Sequence, residues 1–291
     1  MGSCSSCNTP ESEGCSMAGS QPDKVMENLS EDEKVKRNLQ RIAHKILVLS
    51  GKGGVGKSTV AVNLAIALAL QGRRVGLLDV DFHGPSVPTL LHLEGKRPET
   101  TATGLLPIMI EGDMKVMSLG FLLARTDDAV IWRGPLKISA IKQLLGDVVW
   151  GDLDYLIIDF PPGTGDEPLT VAQTIPEADG AVVVTTPQDV STIDVSKSVT
   201  FCRQLNVPVL GVVENMSGLV CPHCSKVIDL FKKGGGEEMA KRMEVPFLGR
   251  IPLDPRIVES SDEGRPFIYH HQNTEAAAAF QRIVEPLLDL G

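Results

Sequence analysis

Ile46-Leu47-Val48-Leu49-Ser50-Gly51-Lys52-Gly53-Gly54-Val55-Gly56-Lys57-Ser58-Thr59 is the stretch on which the reading of this chain turns. From Gly51 to Ser58 it fits G-x-x-x-x-G-K-[ST], a loop that cradles phosphate. The flanks agree with that use. Residues 46–49 are a short apolar run that reads as a buried strand. Thr59 to Leu70 is a continuous Ala/Leu/Val/Ile/Asn stretch closed by Gly72, which reads as a helix. Gly51, Gly53, Gly54 and Gly56, with Val55 among them, let the backbone turn its N–H groups onto phosphate oxygens, and the N-terminus of the following helix adds positive potential. Lys57 is spaced to reach the β- and γ-phosphates, and the Ser58 hydroxyl, just before Thr59, to sit on Mg²⁺. A glycine-rich turn that binds nothing is the alternative, and the strand–loop–helix context argues against it.

Two further strand ends carry carboxylates. Leu77-Leu78-Asp79-Val80-Asp81 precedes the turn Phe82-His83-Gly84-Pro85-Ser86, and Tyr155-Leu156-Ile157-Ile158-Asp159 precedes Phe160-Pro161-Pro162-Gly163-Thr164-Gly165-Asp166. Carboxylates at strand ends above a phosphate loop hold the Mg²⁺ water shell or orient attacking water. Asp159 reads as the Mg²⁺ aspartate, and the Gly163 N–H as a sensor of the γ-phosphate; for Asp79 and Asp81 the competing reading is turn formation. Apolar runs at 46–50, 75–79, 155–159, 181–185, 208–213 and 247–251 alternate with helical stretches near 58–71, 136–145, 189–205 and 235–243, and 274–289 closes the chain as a helix. This alternation predicts an α/β fold, a doubly wound and mostly parallel sheet with helices on both faces.

Residues 1–28, rich in Ser, Gly, Asn, Pro and Glu, read as a flexible tail. Ser30 and Glu33 form a capping box, and Val35, Leu39 and Ile42 recur at helical spacing, so a lead-in helix is expected within 29–44, ahead of a domain spanning 45–291. The 291 residues carry a net charge of −9, which argues against nucleic-acid binding. No uncharged apolar run reaches the roughly 18–20 residues of a membrane span, and no secretory leader is evident, so a cytoplasmic protein is expected. Met1-Gly2-Ser3-Cys4-Ser5-Ser6 fits an N-myristoylation pattern by its letters, without a basic patch to complete an anchor.

The six cysteines are unevenly spread. Cys4, Cys7 and Cys15 crowd the tail, Cys221 and Cys224 form a CxxC within 217–226, and Cys202 falls among apolar residues of a helix, as a buried structural thiol does. One CxxC supplies two thiolates. Two such pairs meeting on a two-fold axis complete a four-cysteine set suited to Zn²⁺ or a [4Fe–4S] cluster, which spacing does not separate. A zinc knuckle within one chain, a redox pair and unligated thiols are the alternatives. His223 is expected to face solvent.

The loop variant GKGGVGKS, with Lys52 after its first glycine, resembles the deviant Walker A ATPases, the MinD, ParA and nitrogenase iron protein relatives (the SIMIBI class of P-loop NTPases). The order GKGGVGKS, DxDFHGPS, DxPPG, ENMS, CPHC and Gly234–Gly236 resembles more closely the Mrp/ApbC (Nbp-type) iron–sulfur cluster carrier ATPases, over roughly residues 40–270. The resemblance implies that Lys52 crosses a dimer interface to the partner's nucleotide and that Asp81 activates or positions water. It implies that Asn215, Pro252 and Asp254 wall the adenine; an Asn amide has the donor–acceptor pair an adenine edge requires. It further implies a homodimer that binds ATP, Mg²⁺ and a labile [4Fe–4S] cluster at Cys221 and Cys224, with apo iron–sulfur proteins as recipients. Cys4, Cys7 and Cys15 resemble the four-cysteine tail motif of the Nbp-type relatives but are one cysteine short. The rival readings are a MinD/ParA-like positioning ATPase and a zinc-stabilised nucleotide switch. The closing segment around Ala276–Leu287 has one arginine and a proline, which does not suit membrane docking.

Overall fold

Near-continuous apolar strands need cover on both faces, and this chain supplies it by alternating strands with helices. The computed structural model of the chain describes residues 29–122, 134–175, 177–220, 224, 226–231 and 233–290, with only the backbone of 189–192 and of 220. Glu31–Gly291 forms one unit, distinct from Met1–Ser30. Its elements in chain order are α1 (Glu31–Leu39), β1 (Ile42–Leu49), α2 (Lys57–Leu70), β2 (Val75–Asp79), α3 (Val87–Leu90), β3 (Thr100–Thr101), β4 (Gly104–Leu105), β5 (Ile108–Ile110) and β6 (Met114–Ser118). There follow α4 (Gly134–Gly146), β7 (Leu153–Asp159), α5 (Asp166–Thr174), β8 (Gly180–Thr185), α6 (Asp189–Gln204), β9 (Val209–Glu214), β10 (Leu219–Val220) and β11 (Val227–Ile228). The chain closes with α7 (Gly235–Arg242), β12 (Phe247–Arg250), α8 (Pro255–Asp262), α9 (Phe267–His270) and α10 (Glu275–Leu288).

Eight strands form one sheet in the order β12–β9–β8–β1–β7–β2–β6–β5. Every neighbouring pair is parallel except β5 with β6, at one edge. The fold is the expected doubly wound α/β sheet. Its two-sided cover shows in the alternation along β8 and β9. Val183 and Val212 pack with Val195, Val199 and Met239 of α6 and α7, whereas Val182, Val184 and Val213 belong to the larger core on the opposite face. Helix α2 is buried almost all round, from Val60 to Leu68, as a helix at the centre of a core must be.

One expectation is corrected, and one part of the sheet was not anticipated. The lead-in helix stops at Leu39, and Ile42 is the first residue of β1, paired with Leu153 of β7, so the strand starts four residues before 46. His44 and Lys45 hid that start: they are polar residues at a strand entrance, where Lys45 and its neighbour strand's Asp179 exchange hydrogen bonds. The unanticipated part is β5 and β6. Met114-Lys115-Val116-Met117-Ser118 is too short and too mixed to stand out as a strand, yet Met114, Val116 and Met117 are fully buried against β2. Among the described residues no helix is long and apolar enough to cross a membrane. Cys4, Cys7, Cys15, Cys221 and His223 lie outside the described residues.

Candidate functional site

The strand order reverses beside β1, and the carboxyl ends of β1, β7 and β2 lie side by side there, the place where open α/β sheets bind ligands. In register, Val48 of β1 pairs with Asp159 of β7, which pairs with Asp79 of β2. The glycine loop leaves β1 at this spot. Gly54 and Gly56 both have φ of +78°, in the left-handed region that glycine enters without strain. A Cβ on Gly56 would also collide with the Asn215 amide.

Lys57, only 6% exposed, directs its ammonium into the strand ends. Its Nζ lies 2.5 Å from Asp159 Oδ1 and donates to Ser58 Oγ at 3.2 Å. Asp159 is fully buried, and among the described residues its Oδ2 has no hydrogen-bond partner. Burial pushes the Asp159 carboxyl up from the usual range, with Lys57 pulling the other way. Asp79, equally buried, is pushed up to about 8 by burial and by the neighbouring Asp159 charge. Asp79 accepts from the Asp81 N–H (3.1 Å), the Val87 N–H (3.2 Å) and Ser118 Oγ (3.1 Å), so it is engaged in the turn after β2, and Lys57 pairs with Asp159. The donor set fits Mg²⁺: a hard cation takes oxygen ligands, and an orphaned carboxylate oxygen beside a serine hydroxyl is such a set.

Asp81 is 7% exposed. Its Oδ1 accepts from the N–H groups of His83 (3.1 Å) and Gly84 (3.3 Å), which shapes the turn after β2, and its Oδ2 has no partner among the described residues. The same turn is tied to α5, because His83 Nε2 lies 2.9 Å from Glu167, which also pairs with Lys137 at 3.0 Å. The Gly163 N–H, expected to sense a γ-phosphate, donates to the Ser50 carbonyl at 2.8 Å, so here it closes the strand end instead. Lys52 leans on its own chain, with Nζ 3.9 Å from Asp194 Oδ2 on α6.

Asn215 follows β9 and reaches the phosphate loop itself, its Nδ2 donating to the Val55 carbonyl at 2.9 Å. Pro252 is half-buried nearby, and Asp254 caps α8, accepting from the Arg256 N–H (3.0 Å) and guanidinium (2.6 and 2.9 Å). Burial works against ionisation of Asp254, yet those Arg256 hydrogen bonds hold its carboxyl below the usual range. Sequence reasoning gave no role to Glu214. It is fully buried and accepts from Ser217 Oγ (2.6 Å), Gly234 N–H (3.1 Å) and Gly236 N–H (2.7 Å), with Arg250 Nε 3.3 Å away. The one available signal was a glutamate ending an otherwise apolar strand. Cys202 is buried, and burial pushes its thiol up to about 12, which makes it inert.

Beyond Ser217 the chain forms the hairpin β10–β11, in which Val220 pairs with Val227. In sequence the CxxC falls between these two strands, and of its two cysteines the described Cys224 is exposed. Val227, Ile228 and Leu230, at 59%, 45% and 53% exposure, place apolar surface beside it.

A phosphate loop on β1, a carboxylate closing β7 and a cysteine hairpin hung on β9 coincide with a family model described as the NUBPL iron-transfer P-loop NTPase, which matches residues 41–288. The chain belongs to that family. The iron–sulfur cluster carrier protein of Methanocaldococcus jannaschii is 49% identical, over 99% of this chain and 96% of its own length. The cytosolic Fe–S cluster assembly factor NUBP2 homolog of Nematostella vectensis is 52% identical, over 86% of this chain and 94% of its own length. Among solved structures, a nucleotide-binding protein of Archaeoglobus fulgidus in complex with ADP is 44% identical with a TM-score of 0.74, covering 82% of this chain and 93% of that one.

Proposed function

We propose that this chain is a cytoplasmic ATP-binding and ATP-hydrolysing carrier that holds a labile [4Fe–4S] cluster between two copies of itself and passes it to apoproteins. The observation that carries the reading is the CxxC hairpin, suspended from the strand whose next residue, Asn215, touches the phosphate loop. A cluster shared by two chains has one pair of thiolates from each. The exposed Val227, Ile228 and Leu230 beside Cys224 support a second copy as the facing surface, since contiguous exposed apolar side chains mark contact sites.

In the nucleotide pocket, the glycine-loop N–H groups and Lys57 bind the phosphates. Ser58 and Asp159 are the residues that would hold Mg²⁺, whose chemistry is to offset negative charge on phosphate oxygens. Lys57 exchanges its contact with Asp159 for the phosphates. Asp81 Oδ2 orients the attacking water, and the Gly163 N–H leaves Ser50 when a γ-phosphate is present. Asn215, Pro252 and Asp254 border the base. Asp81→Asn keeps the turn, because an amide oxygen still accepts from His83 and Gly84, but it removes the carboxylate. ATP turnover should fall by on the order of 10²–10⁴ with MgATP binding retained. Steady-state phosphate release checks this, and parent-like turnover would make Asp81 a turn residue only.

Anaerobic reconstitution tests the carrier reading as a whole. The purified chain should take up iron and sulfide in equal amounts, show broad absorbance, and activate an apo iron–sulfur enzyme at a rate that ATP changes. A colourless protein holding zinc alone would replace the carrier with a zinc-stabilised nucleotide switch.

A further inference from the structure

We propose that Glu214 and Ser217 are positioning residues that carry the occupancy of the phosphate loop to the cysteine pair. This link rests on the nucleotide-dependent carrier reading and names the residues that would make it work. Contact with the loop comes first. Asn215 donates to the Val55 carbonyl, and the Met216 methyl lies 3.6 Å from where a Cβ on Gly56 would stand. Residues 215 and 216 therefore rest on the part of the loop that must adapt to phosphate. Met216 has φ of +59°, a left-handed conformation that a non-glycine residue keeps only where its surroundings impose it.

The surroundings impose it from both sides. The Asn215 N–H donates to Thr185 of β8 at 2.7 Å, and the Ser217 N–H donates to Ile251 at 2.9 Å. Glu214 fixes the far end: with both oxygens engaged it joins Ser217, the start of α7 and Arg250 in one buried set. No slack is left around it, because a Cβ on Gly236 would meet Thr185 and Glu214 atoms at 3.0–3.2 Å. Past Ser217, the Gly218 carbonyl accepts from the Leu253 N–H at 2.8 Å, Leu219 bridges Leu253, and β10 runs into the cysteine loop. Glu214 belongs to the sheet and is anchored on that side. A displacement of Asn215 is therefore relieved on the other side, through Ser217 into β10, whose last residue, Val220, directly precedes Cys221 in sequence. Buried, fully engaged networks of this kind shift between discrete arrangements rather than stretching. The Ser217 hydroxyl is the tie that makes 214–217 move as one piece.

The test needs no iron. In the full chain, alkylation of the exposed Cys224 is followed by mass spectrometry with and without ADP, and ADP affinity is measured separately. In the parent protein ADP should change the Cys224 rate on the order of 5-fold or more, as linked sites do. In Ser217→Ala and in Glu214→Gln that change should shrink to below about 2-fold while ADP affinity stays within about 3-fold, a separation that general loosening of the pocket would not give. The link is overturned if Ser217→Ala keeps the full ADP effect. It is equally overturned if that variant loses ADP affinity together with the effect, since Ser217 would then be holding the pocket. A parent chain that binds ADP and carries a cluster, yet labels alike in both states, overturns the link alone. A parent chain that binds no ADP overturns the carrier reading and the link with it.

Discussion

Lys57→Ala is expected to weaken ATP binding by roughly 30- to 5,000-fold, the equivalent of about 2–5 kcal/mol for removing one partner of a buried, hydrogen-bonded charge pair. The geometry makes the residue hard to replace. Its ammonium lies at the junction of three strand ends, 2.5 Å from Asp159, with almost no exposure to water. Stability should change far less than affinity. Burial already favours the neutral form of the Asp159 carboxyl, and losing Lys57 pushes it further that way, which limits the cost of leaving it without a partner. Isothermal titration with ATP, alongside thermal melts, separates the two effects. Lys52→Ala should behave differently. Lys52 meets Asp194 at 3.9 Å with both side chains partly wet, an ion pair worth under about 1 kcal/mol. It is thus free to leave for a partner chain's phosphates, and its loss should abolish most hydrolysis while sparing much of the affinity. A Lys57→Ala protein that bound ATP like the parent would remove the phosphate role. Normal hydrolysis in Lys52→Ala would remove the intermolecular one.

The parts of this molecule that were legible in its sequence are those where one residue type has one physical use. The glycine loop required its glycines, and Gly54 and Gly56 indeed occupy left-handed backbone. The strand ends bearing Asp79 and Asp159 were readable because an apolar run that stops on a carboxylate places a charge at the rim of a sheet, and the two lie side by side. Less was legible where the cause is tertiary. Strands β6 and β5 carry no pattern of their own; β6 is a strand because β2 offers it an unpaired edge, and β5 because β6 then does the same. The start of β1 was hidden because His44 and Lys45 interrupt its apolar run. Glu214 was read as one letter of a motif, since nothing local reveals that Gly234 and Gly236, some twenty residues later, return to donate to it. The contact of Asn215 with Val55 spans 160 residues and is beyond any local rule. Spacing alone also leaves the metal of a CxxC open, because thiolate pairs suit both zinc and iron–sulfur clusters.

Replacing Cys221 and Cys224 together by serine should remove the bridging cluster, taking iron from about two atoms per chain, half of a [4Fe–4S] shared by two chains, to near zero. The loss should be complete rather than graded, because the double variant takes two thiolates from each chain and so leaves the shared set with none of its four. ADP affinity should remain within about 2-fold, and the fold should be little affected. Cys224 is exposed on a hairpin loop, where substitutions typically cost no more than about 0.5 kcal/mol, and the phosphate loop is built on other strands. Dimerisation should weaken, since the apolar surface of Val227, Ile228 and Leu230 would no longer be bridged across the axis. A second variant, with Cys4, Cys7 and Cys15 replaced by serine, separates the two cysteine groups. If the hairpin variant keeps its iron and the tail variant loses it, the cluster belongs to the tail. If both keep it, neither group holds the cluster. If only the hairpin variant loses it, the shared site is exposed and incomplete in either chain alone, so separating the two chains would free the cluster for a recipient protein.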